Sequence, residues 1–579
     1  MSASTYRSKD APMAPTLIRQ LPLMRKLLIG LARWGGALVL LAAATAQARA
    51  ADCAQLLQLS LPHVTVTSAA LMESGSFTDD TRPDEASRTY KDLPVFCRVR
   101  GVSRPTSDSA IHFEVWLPQQ QAWRGRLFMI GNGAYASYIY YAQMSQRIRA
   151  GDVAVATDGG HQGGWDDLSF GVDHPEKILD FAGRAGHESV VAGKAAAAAY
   201  FGTAPRYSYM CGCSTGGYQA LTAAQRYPDD FDGLIAGDPG NNRSTLNMQF
   251  LWNYLANHRQ GDDSTPIMSK DDLVFLYQAV MKACDGIDGV TDGVINDPRA
   301  CHFDVRSLLC ADGKNTECLT QEKIDAALKI YAGPKDARTG KPVYPGFPFG
   351  SEGVETRGEK GFPGWSAYWA DQEHPTQPSR ADFFRSWVFD DPNWNWWHFN
   401  WGSDVDFVHA KMAHDFDANS TDLSAFKAHG GKLIMFMGWA DPVGTPFEAI
   451  NYYNNVEARA SGATEAARRE ATQSFFRLYM VPGMAHCAEG PGAVNFSTAT
   501  RDSTPPVSDA VHDMAVALQV WVEKGEAPEA LIATKYADAD GHKIAFQRPL
   551  GVFPKVAKYR GGPTELATSF ECAMLDGAQ

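Results

Sequence analysis

Short continuous runs of apolar residues recur along the chain, and each ends near a Gly, Asp or Pro. Six of them cover residues 127–130, 153–156, 207–211, 234–236, 433–437 and 476–481. Such runs, bounded by turn residues, are typical of strands that are covered on both faces of a sheet. They therefore predict a buried parallel sheet.

The stretches between these runs supply helices. Residues 185–201 are rich in Ala with apolar positions at helical spacing, and residues 216–227 follow one of the predicted strands directly. Strands that alternate with helices predict an α/β fold. The 579 residues allow two to four domains of roughly 150 residues, or one large core with insertions.

The alternation stops between residues 242 and 428. This stretch holds an Asp-rich loop and four cysteines, and seven of the chain's 14 tryptophans lie in residues 365–401. We predict that residues 242–428 form a lid domain, inserted between a first part of the core (51–241) and a second part (429–579). The alternative is that the core simply continues through this stretch.

The composition narrows the range of functions. The chain is 45% hydrophobic and 21% charged, as ordinary globular proteins are. Its formal net charge of −13 argues against nucleic acid as a partner, because phosphate contacts need clustered Lys and Arg.

The first 50 residues have the order of a secretory signal peptide. They carry seven basic side chains and one acid, and an apolar run over residues 34–44 is followed by small residues. This order predicts cleavage after Ala48 or Ala50 and a secreted or periplasmic protein. A membrane anchor is the alternative, although a run of about 11 residues is short for a bilayer.

Export places the chain's ten cysteines in an oxidising compartment and predicts that most of them form disulfides. Their spacing does not match a zinc ribbon, and the sequence alone does not fix how they pair.

The candidate nucleophile is Ser214. It lies in Gly212-Cys213-Ser214-Thr215-Gly216, which matches the G-x-S-x-G pattern. The pattern follows a predicted strand and opens a predicted helix, and this strand–turn–helix lifts a serine Oγ above a sheet. The helix N-terminus also favours the negative charge that develops in acyl transfer. The alternative is an ordinary Gly-rich turn.

A serine hydroxyl needs a base, which is usually a histidine oriented by a buried carboxylate. Asp441 and His486 each follow a predicted strand, where open α/β sheets place their active sites. The chain order Ser214, Asp441, His486 is that expected for this fold. Singly, Asp441 is also explained as a turn residue and His486 as a surface histidine; together they predict a catalytic triad.

Two cysteines adjoin this triad. Cys213 precedes Ser214, and Cys487 follows His486. If Ser214 and His486 meet, a disulfide between the two cysteines ties their loops together and stabilises the fold by roughly 4–5 kcal/mol in the chain-entropy model. The alternative is a pair of buried free thiols.

The Cys-Ser, Asp and His-Cys set resembles that of the tannase and feruloyl esterase family. The resemblance rests on residues 213–217, Asp441 and residues 486–487, with support from residues 225–233 and 438–442, and it runs from about Cys53 to about Cys572. It implies an α/β-hydrolase core, a lid domain and hydrolysis of aromatic carboxylic esters. Feruloyl esters, gallate esters and the monoester released from polyethylene terephthalate are among the family's substrates.

An oxyanion hole needs two N–H donors aimed at the carbonyl oxygen. One is expected from Thr215, the residue after the candidate nucleophile. The other is expected from the loop Gly131-Asn132-Gly133-Ala134, which resembles the family's glycine loop. Gly133 is the favoured donor, with Asn132 and Ala134 as alternatives.

An acidic loop over residues 284–294 packs three carboxylates and three glycines, without the spacing of an EF-hand. Calcium prefers carboxylate and carbonyl oxygens as ligands. The loop resembles the family's lid calcium site, which implies a structural ion held by the side chains of Asp285, Asp288 and Asp292 and the carbonyls of Val290 and Val294. The alternative is a solvated acidic turn.

Proximity in the chain and the same resemblance imply three further disulfides: Cys53–Cys97, Cys284–Cys301 and Cys310–Cys318. Whether Cys211 and Cys572 pair stays open.

An aromatic acyl group needs a flat apolar slot with a few polar groups. Candidates for the slot are Trp365, Trp369, Trp387 and Phe389, with Arg385 to meet a substrate carboxylate. The alternative is that these residues form the lid core. The family's terephthalate-monoester hydrolases have a phenylalanine three residues past the triad acid, where this chain has Gly444; this favours feruloyl- or gallate-type esters.

The sequence therefore predicts a secreted or periplasmic serine carboxylesterase that cleaves small hydroxycinnamate- or gallate-type esters, with structural calcium and no organic cofactor. The first alternative is the same chemistry on a terephthalate monoester or another aryl ester. Two further alternatives are a catalytically silent, calcium-stabilised binding protein and a peptidase.

Overall fold

The apolar runs predicted from the sequence are neighbouring strands of one nine-stranded sheet in the computed structural model of the protein. The structure describes residues 52–73, 75–79, 88–311, 317–354, 363–500, 503–538 and 540–574. The predicted signal peptide, residues 1–50, lies outside the described residues.

The described residues form fifteen strands. In chain order they are β1 (Val64–Met72), β2 (Gly75–Asp79), β3 (Arg88–Leu93), β4 (Phe96–Ser103), β5 (Ile111–Pro118), β6 (Arg126–Ile130), β7 (Val153–Thr157), β8 (Tyr207–Cys213), β9 (Gly233–Gly237), β10 (Lys432–Gly438), β11 (Phe476–Val481), β12 (Ala530–Tyr536), β13 (Ile544–Gly551), β14 (Lys555–Tyr559) and β15 (Phe570–Met574). The large sheet has the order β1-β4-β5-β7-β6-β8-β9-β10-β11.

Six neighbouring strands, β7-β6-β8-β9-β10-β11, are parallel, and they are the six predicted ones. Strands β1, β4 and β5 extend the sheet in antiparallel pairing. The sequence analysis did not predict these three. Only one residue of β1, Val66, is buried, whereas β4 and β5 are mostly buried but have charged residues among their apolar ones, such as Arg98, Arg100 and Glu114.

Helices cover both faces of the sheet. They are α1 (Tyr141–Arg149), α2 (Pro175–Leu179), α3 (Ala185–Phe201), α4 (Thr215–Arg226), α5 (Arg243–Ala256), α6 (Lys270–Cys284), α7 (Gln321–Ala332), α8 (Ser403–Val408), α9 (His414–Phe416), α10 (Ser424–His429), α11 (Pro446–Arg459), α12 (Glu465–Gln473) and α13 (Met514–Lys524). The predicted helix over 185–201 is α3, and the one over 216–227 is α4 with ends shifted by one residue. In the part of the chain described, no helix is both long and apolar enough to cross a bilayer.

Successive residues of the central strands enter two separate cores. On β6, Leu127 and Met129 pack with α3 and α4, whereas Phe128 and Ile130 pack on the opposite face with α1 and α13. This alternation follows from the two-residue period of a strand, and burying each large apolar side chain contributes about 1.5–3 kcal/mol. The double burial explains why these strands are apolar throughout.

Residues 238–431 connect two adjacent strands, β9 and β10. The described part of this connection contains helices and turns and adds no strand to the large sheet. It has apolar clusters of its own, one around Trp365 and one around Trp387. The boundaries 242 and 428 stay a prediction.

Candidate active site

The carboxyl ends of β8, β9, β10 and β11 lie side by side, because these parallel strands are neighbours in the sheet. Each strand is followed closely by a polar residue: Ser214, Asp238, Asp441 and His486. The carboxyl edge of an open α/β sheet is where ligands bind. The site is therefore built from four loops that the sheet brings together.

Ser214 forms the turn between β8 and α4. Its φ of 61° and ψ of −119° lie outside the usual regions for a side-chain-bearing residue. The turn is tight, because a Cβ on Gly212 would lie 2.6 Å from the Cα of Gly216. The glycines on either side of Ser214 therefore allow the sharp elbow that the motif predicts.

Asp441 and His486 are hydrogen-bonded to each other, with 2.7 Å between His486 Nδ1 and Asp441 Oδ2. The Asp441 side chain is fully buried, and its Oδ1 accepts N–H groups of Val443 and Gly444 at 2.7 and 3.2 Å. These bonds fix the carboxylate, and the carboxylate orients the imidazole. Nε2 is then the ring nitrogen left for a serine hydroxyl.

A disulfide joins the loops of Ser214 and His486. Cys213 and Cys487 are bonded, with their Cα atoms 5.7 Å apart despite a separation of 274 residues. Since these cysteines adjoin Ser214 and His486, the bond holds the candidate nucleophile beside the candidate base.

Asp238 is a second buried carboxylate at this edge, and sequence reasoning missed it. One atom each of Asp238, Asp441 and His486 lie within 4.8 Å of one another. Burial, followed by the charge of Asp441, raises the pKa of Asp238 well above the usual range of an aspartate. The sequence did carry a signal for Asp238. It lies two residues after the predicted strand over 234–236, just as Asp441 and His486 lie shortly after their own predicted strands.

The loop after β6 offers the second oxyanion donor. The N–H of Asn132 donates to Gln219 Oε1 at 2.9 Å, so Asn132 is not that donor. Within the described residues, the N–H groups of Gly133 and Ala134 have no acceptor. The hydroxyl of Thr215 donates to the Ala134 carbonyl at 2.6 Å and joins this loop to the start of α4. Gly133 and Ala134 therefore both stay candidates beside Thr215.

A family model for tannase and feruloyl esterase matches residues 97–573, which include all four of these loops. The chain belongs to the tannase and feruloyl esterase family. A protein of Xanthomonas campestris pv. campestris described as an uncharacterized esterase is 39% identical over 92% of this chain and 94% of its own length. A mono(2-hydroxyethyl) terephthalate hydrolase of Piscinibacter sakaiensis is 29% identical over 85% of this chain and 87% of its own.

The crystal structure of feruloyl esterase B from Aspergillus oryzae superposes with a TM-score of 0.79 and 25% identity, covering 90% of this chain and 99% of that one. The protein is thus an esterase with an α/β-hydrolase fold, and the predictions of family, fold class and enzyme class are confirmed.

All four predicted disulfides of the esterase are present: Cys53–Cys97, Cys213–Cys487, Cys284–Cys301 and Cys310–Cys318. Cys211 and Cys572, whose pairing the sequence left open, are free thiols. Burial raises the pKa of Cys211 to about 12, so this thiol is inert at neutral pH.

The acidic loop of the esterase is held mainly by its own hydrogen bonds. Asp285 accepts the N–H groups of Asp292 and Gly293 at 3.1 and 3.0 Å, and Asp292 is paired with Arg548 at 2.5 Å. Among the described residues, the groups of three metal-ligating atoms within 4.8 Å of one another lie at the candidate triad and its disulfide, not in this loop. The carboxylates of Asp285, Asp288 and Asp292 are therefore not gathered around one point.

The chemistry of the loop nevertheless suits calcium. Burial, followed by the charges of Asp292 and Asp285, raises the pKa of Asp288 to about 6. One arginine faces three carboxylates, so the loop carries excess negative charge that a divalent cation would neutralise. Such an ion would compete with Arg548 for Asp292.

The predicted substrate residues take part in lid packing. Trp365 is fully buried, and its indole N–H donates to Ser351 Oγ at 3.0 Å. Arg385 donates to Gln377 and Asp382 at 3.0 and 3.2 Å. These contacts support the alternative that the sequence left open, in which these residues form the core of the lid.

An exposed aromatic ring lies instead beside the oxyanion loop. Trp165 is 37% exposed, and a Cβ built on Gly133 would lie 3.0 Å from its ring. The ring packs edge-on against Tyr138, with centroids 5.6 Å apart. Sequence reasoning missed Trp165, although its position directly after the glycine pair 163–164 indicated a tryptophan in a loop.

Proposed function

We propose that the esterase hydrolyses aromatic carboxylic esters through Ser214, His486 and Asp441. The observation that carries the proposal is the buried Asp441–His486 hydrogen bond, in a loop that the Cys213–Cys487 disulfide ties to Ser214. A serine at a strained elbow, a base and a buried acid are the parts that acyl transfer requires.

In the proposed mechanism, Ser214 Oγ attacks the ester carbonyl while His486 Nε2 takes its proton. The imidazolium that forms is stabilised by the carboxylate of Asp441. The oxyanion accepts N–H groups of Thr215 and of Gly133 or Ala134. His486 then gives the proton to the leaving alcohol, and a water molecule, deprotonated by His486, hydrolyses the acyl-enzyme and restores Ser214.

The proposed substrate is an ester of a hydroxycinnamate or gallate type. Support comes from the family and from Trp165, whose exposed ring next to Gly133 offers a flat apolar wall for an aromatic acyl group. A terephthalate monoester is the second candidate, favoured by the likeness to the hydrolase of that class.

We also propose that calcium binds the acidic loop as a structural ion, and that the mature protein is secreted or periplasmic. Four disulfides support export, since they persist in oxidising compartments. The negative charge gathered at Asp285, Asp288 and Asp292 supports the ion.

Turnover of methyl ferulate, methyl gallate and mono(2-hydroxyethyl) terephthalate tests this function. We expect Ser214→Ala to abolish hydrolysis and to prevent labelling by a fluorophosphonate. Ser189→Ala is the matched control, because the Ser189 hydroxyl is buried in α3 without a partner among the described residues. Unchanged turnover by Ser214→Ala would rule out the proposed nucleophile, and the ranking of the three esters decides between the two substrate classes.

A further inference from the structure

The carboxylate of Asp238 connects three of the four loops at the carboxyl edge. Its Oδ1 accepts the N–H of Gly438 at 2.7 Å, three residues before Asp441. Its Oδ2 accepts the N–H of Cys487 at 2.8 Å, directly after His486. The same oxygen lies 3.4 Å from the Sγ atom of Cys213, which precedes Ser214. One side chain thus contacts a neighbour of each proposed triad residue.

This carboxylate is held in an unfavourable setting. Asp238 is only 1% exposed, and its φ of 34° is unusual for a residue with a side chain. The charged groups acting on it are Asp441, after β10, and His486, after β11. Burial and the charge of Asp441 disfavour its ionised form, whereas a protonated His486 and the two N–H groups favour it.

From this geometry we infer that Asp238 is a positioning residue of the esterase. It fixes the backbone on which Asp441 and His486 stand, and when ionised it adds a second negative charge beside the imidazolium. The inference rests on the proposed function, in which His486 is the base. Asp238 touches no substrate atom in this assignment and acts through the residues that do.

Two variants test the inference. Asp238→Asn keeps the size of the side chain but replaces one acceptor oxygen with an amide NH₂. Asp238→Gly removes the carboxylate but also relieves the strain of a positive φ, which offsets part of the stability lost with the two hydrogen bonds. Asp152→Asn is the matched control, because Asp152 is also a buried carboxylate but precedes β7, at the opposite edge of the sheet.

We expect both Asp238 variants to lower kcat about 10- to 100-fold, with KM changed less than about threefold, because misplaced catalytic groups slow chemistry more than binding. We also expect kcat of the unsubstituted esterase to rise towards alkaline pH as Asp238 ionises, because the new charge stabilises the imidazolium. Both variants should lose this rise, and Asp152→Asn should keep it.

Wild-type kcat with an unchanged pH profile in either Asp238 variant would overturn the inference. A loss of activity no greater than that of Asp152→Asn, at an equal loss of melting temperature, would also overturn the inference. Fluorophosphonate labelling of Ser214 separates the two proposals. Labelling in the unsubstituted enzyme supports the triad, whereas its absence contradicts the proposed function itself.

Discussion

Several residues of the candidate site are held in backbone conformations that side-chain-bearing residues rarely adopt. Ser214, Asp238 and Cys487 all have a positive φ, at 61°, 34° and 68°, as does Ala134 in the oxyanion loop, at 45°. Each such residue costs about 1–3 kcal/mol and persists only where the surroundings hold it. Here the surroundings are a disulfide, two buried carboxylates and a close approach of the oxyanion loop to the elbow, where a Cβ on Gly131 would lie 2.4 Å from the Cα of Gly216.

The role of Asp441 as the acid of the proposed triad can be tested by replacing one oxygen of its carboxylate with an amide nitrogen. We expect Asp441→Asn to lower kcat by about 10⁴-fold with little change in KM, because an amide neither stabilises the imidazolium nor holds its useful tautomer. The measurement is kcat and KM with methyl ferulate. A loss below about tenfold would mean that another group orients His486.

The role of Trp165 can be tested through specificity. We expect Trp165→Ala to raise KM for methyl ferulate about tenfold while changing KM for an alkyl ester such as methyl butyrate much less, because burying an aromatic face contributes about 1–2 kcal/mol. Trp165→Phe is the matched control and should keep most of the affinity. Equal effects on both esters would place Trp165 outside the acyl pocket.

At the scale of elements, the site depends on strand order. Strands β8 to β11 are consecutive in the sheet, so loops that are far apart in the chain end at one edge. The connection between β9 and β10 spans residues 238–431 without disturbing this order, since the two strands pair in register from Gly233 with Lys432 onwards. An insertion of this size is tolerated where it leaves and returns at a loop.

Removing the Cys213–Cys487 bond should affect activity more than removing another disulfide. We expect Cys213→Ser with Cys487→Ser to lower stability by about 5 kcal/mol and kcat at least about tenfold, since a long loop and the triad lose their cross-link. The control pair is Cys310→Ser with Cys318→Ser, because this disulfide joins residues separated by only 8 positions. Thermal melts and kcat check this; retained kcat in the first pair would exclude a role in positioning.

Calcium should stabilise the acidic loop. We expect EGTA to lower the melting temperature by several degrees and added calcium to restore it, because a ligand that binds only the folded protein stabilises it. Asp288→Asn should lower this calcium response, whereas Arg548→Gln should leave Asp292 free and increase calcium affinity, measured by calorimetry. A melting temperature that changes with neither EGTA nor calcium would contradict the proposed calcium site.

At the scale of the whole molecule, buried carboxylates link folding to pH. Burial raises the pKa of both Glu352 and Glu448 to about 7 and that of Asp417 to about 6. In the unfolded chain such groups titrate near pH 4. Between these values the folded protein holds protons that the unfolded chain releases, so their contribution to stability is full below about pH 4 and is lost as pH rises to about 7.

We therefore expect the melting temperature to fall as pH rises from about 5 to about 8. Glu448→Gln should reduce the fall, because a neutral amide has no charge to bury. Glu322→Gln is a suitable control, since Glu322 is exposed and paired with Arg259. A fall that is the same in all three proteins would show that other groups control the pH dependence.

The sequence by itself determined the parallel strands, α3, α4 and the residues proposed for the triad; the disulfides were predicted with the help of the family resemblance. These features follow from local pattern: strands buried on both faces must be apolar throughout, and a nucleophile elbow needs small residues in a fixed order. The pairing of Cys213 with Cys487 was predicted on the condition that Ser214 and His486 meet, and the folded structure meets that condition.

Only the tertiary structure decided the rest. Strand β1 is largely exposed, and β4 and β5 interrupt their apolar residues with charged ones, so none of the three forms a continuous apolar run. Trp365 and Trp165 differ in burial although both are tryptophans in Gly-containing segments. Asp238 became part of the site because β9 lies between β8 and β10. Burial and proximity depend on elements that meet in space, and no local pattern specifies which ones those are.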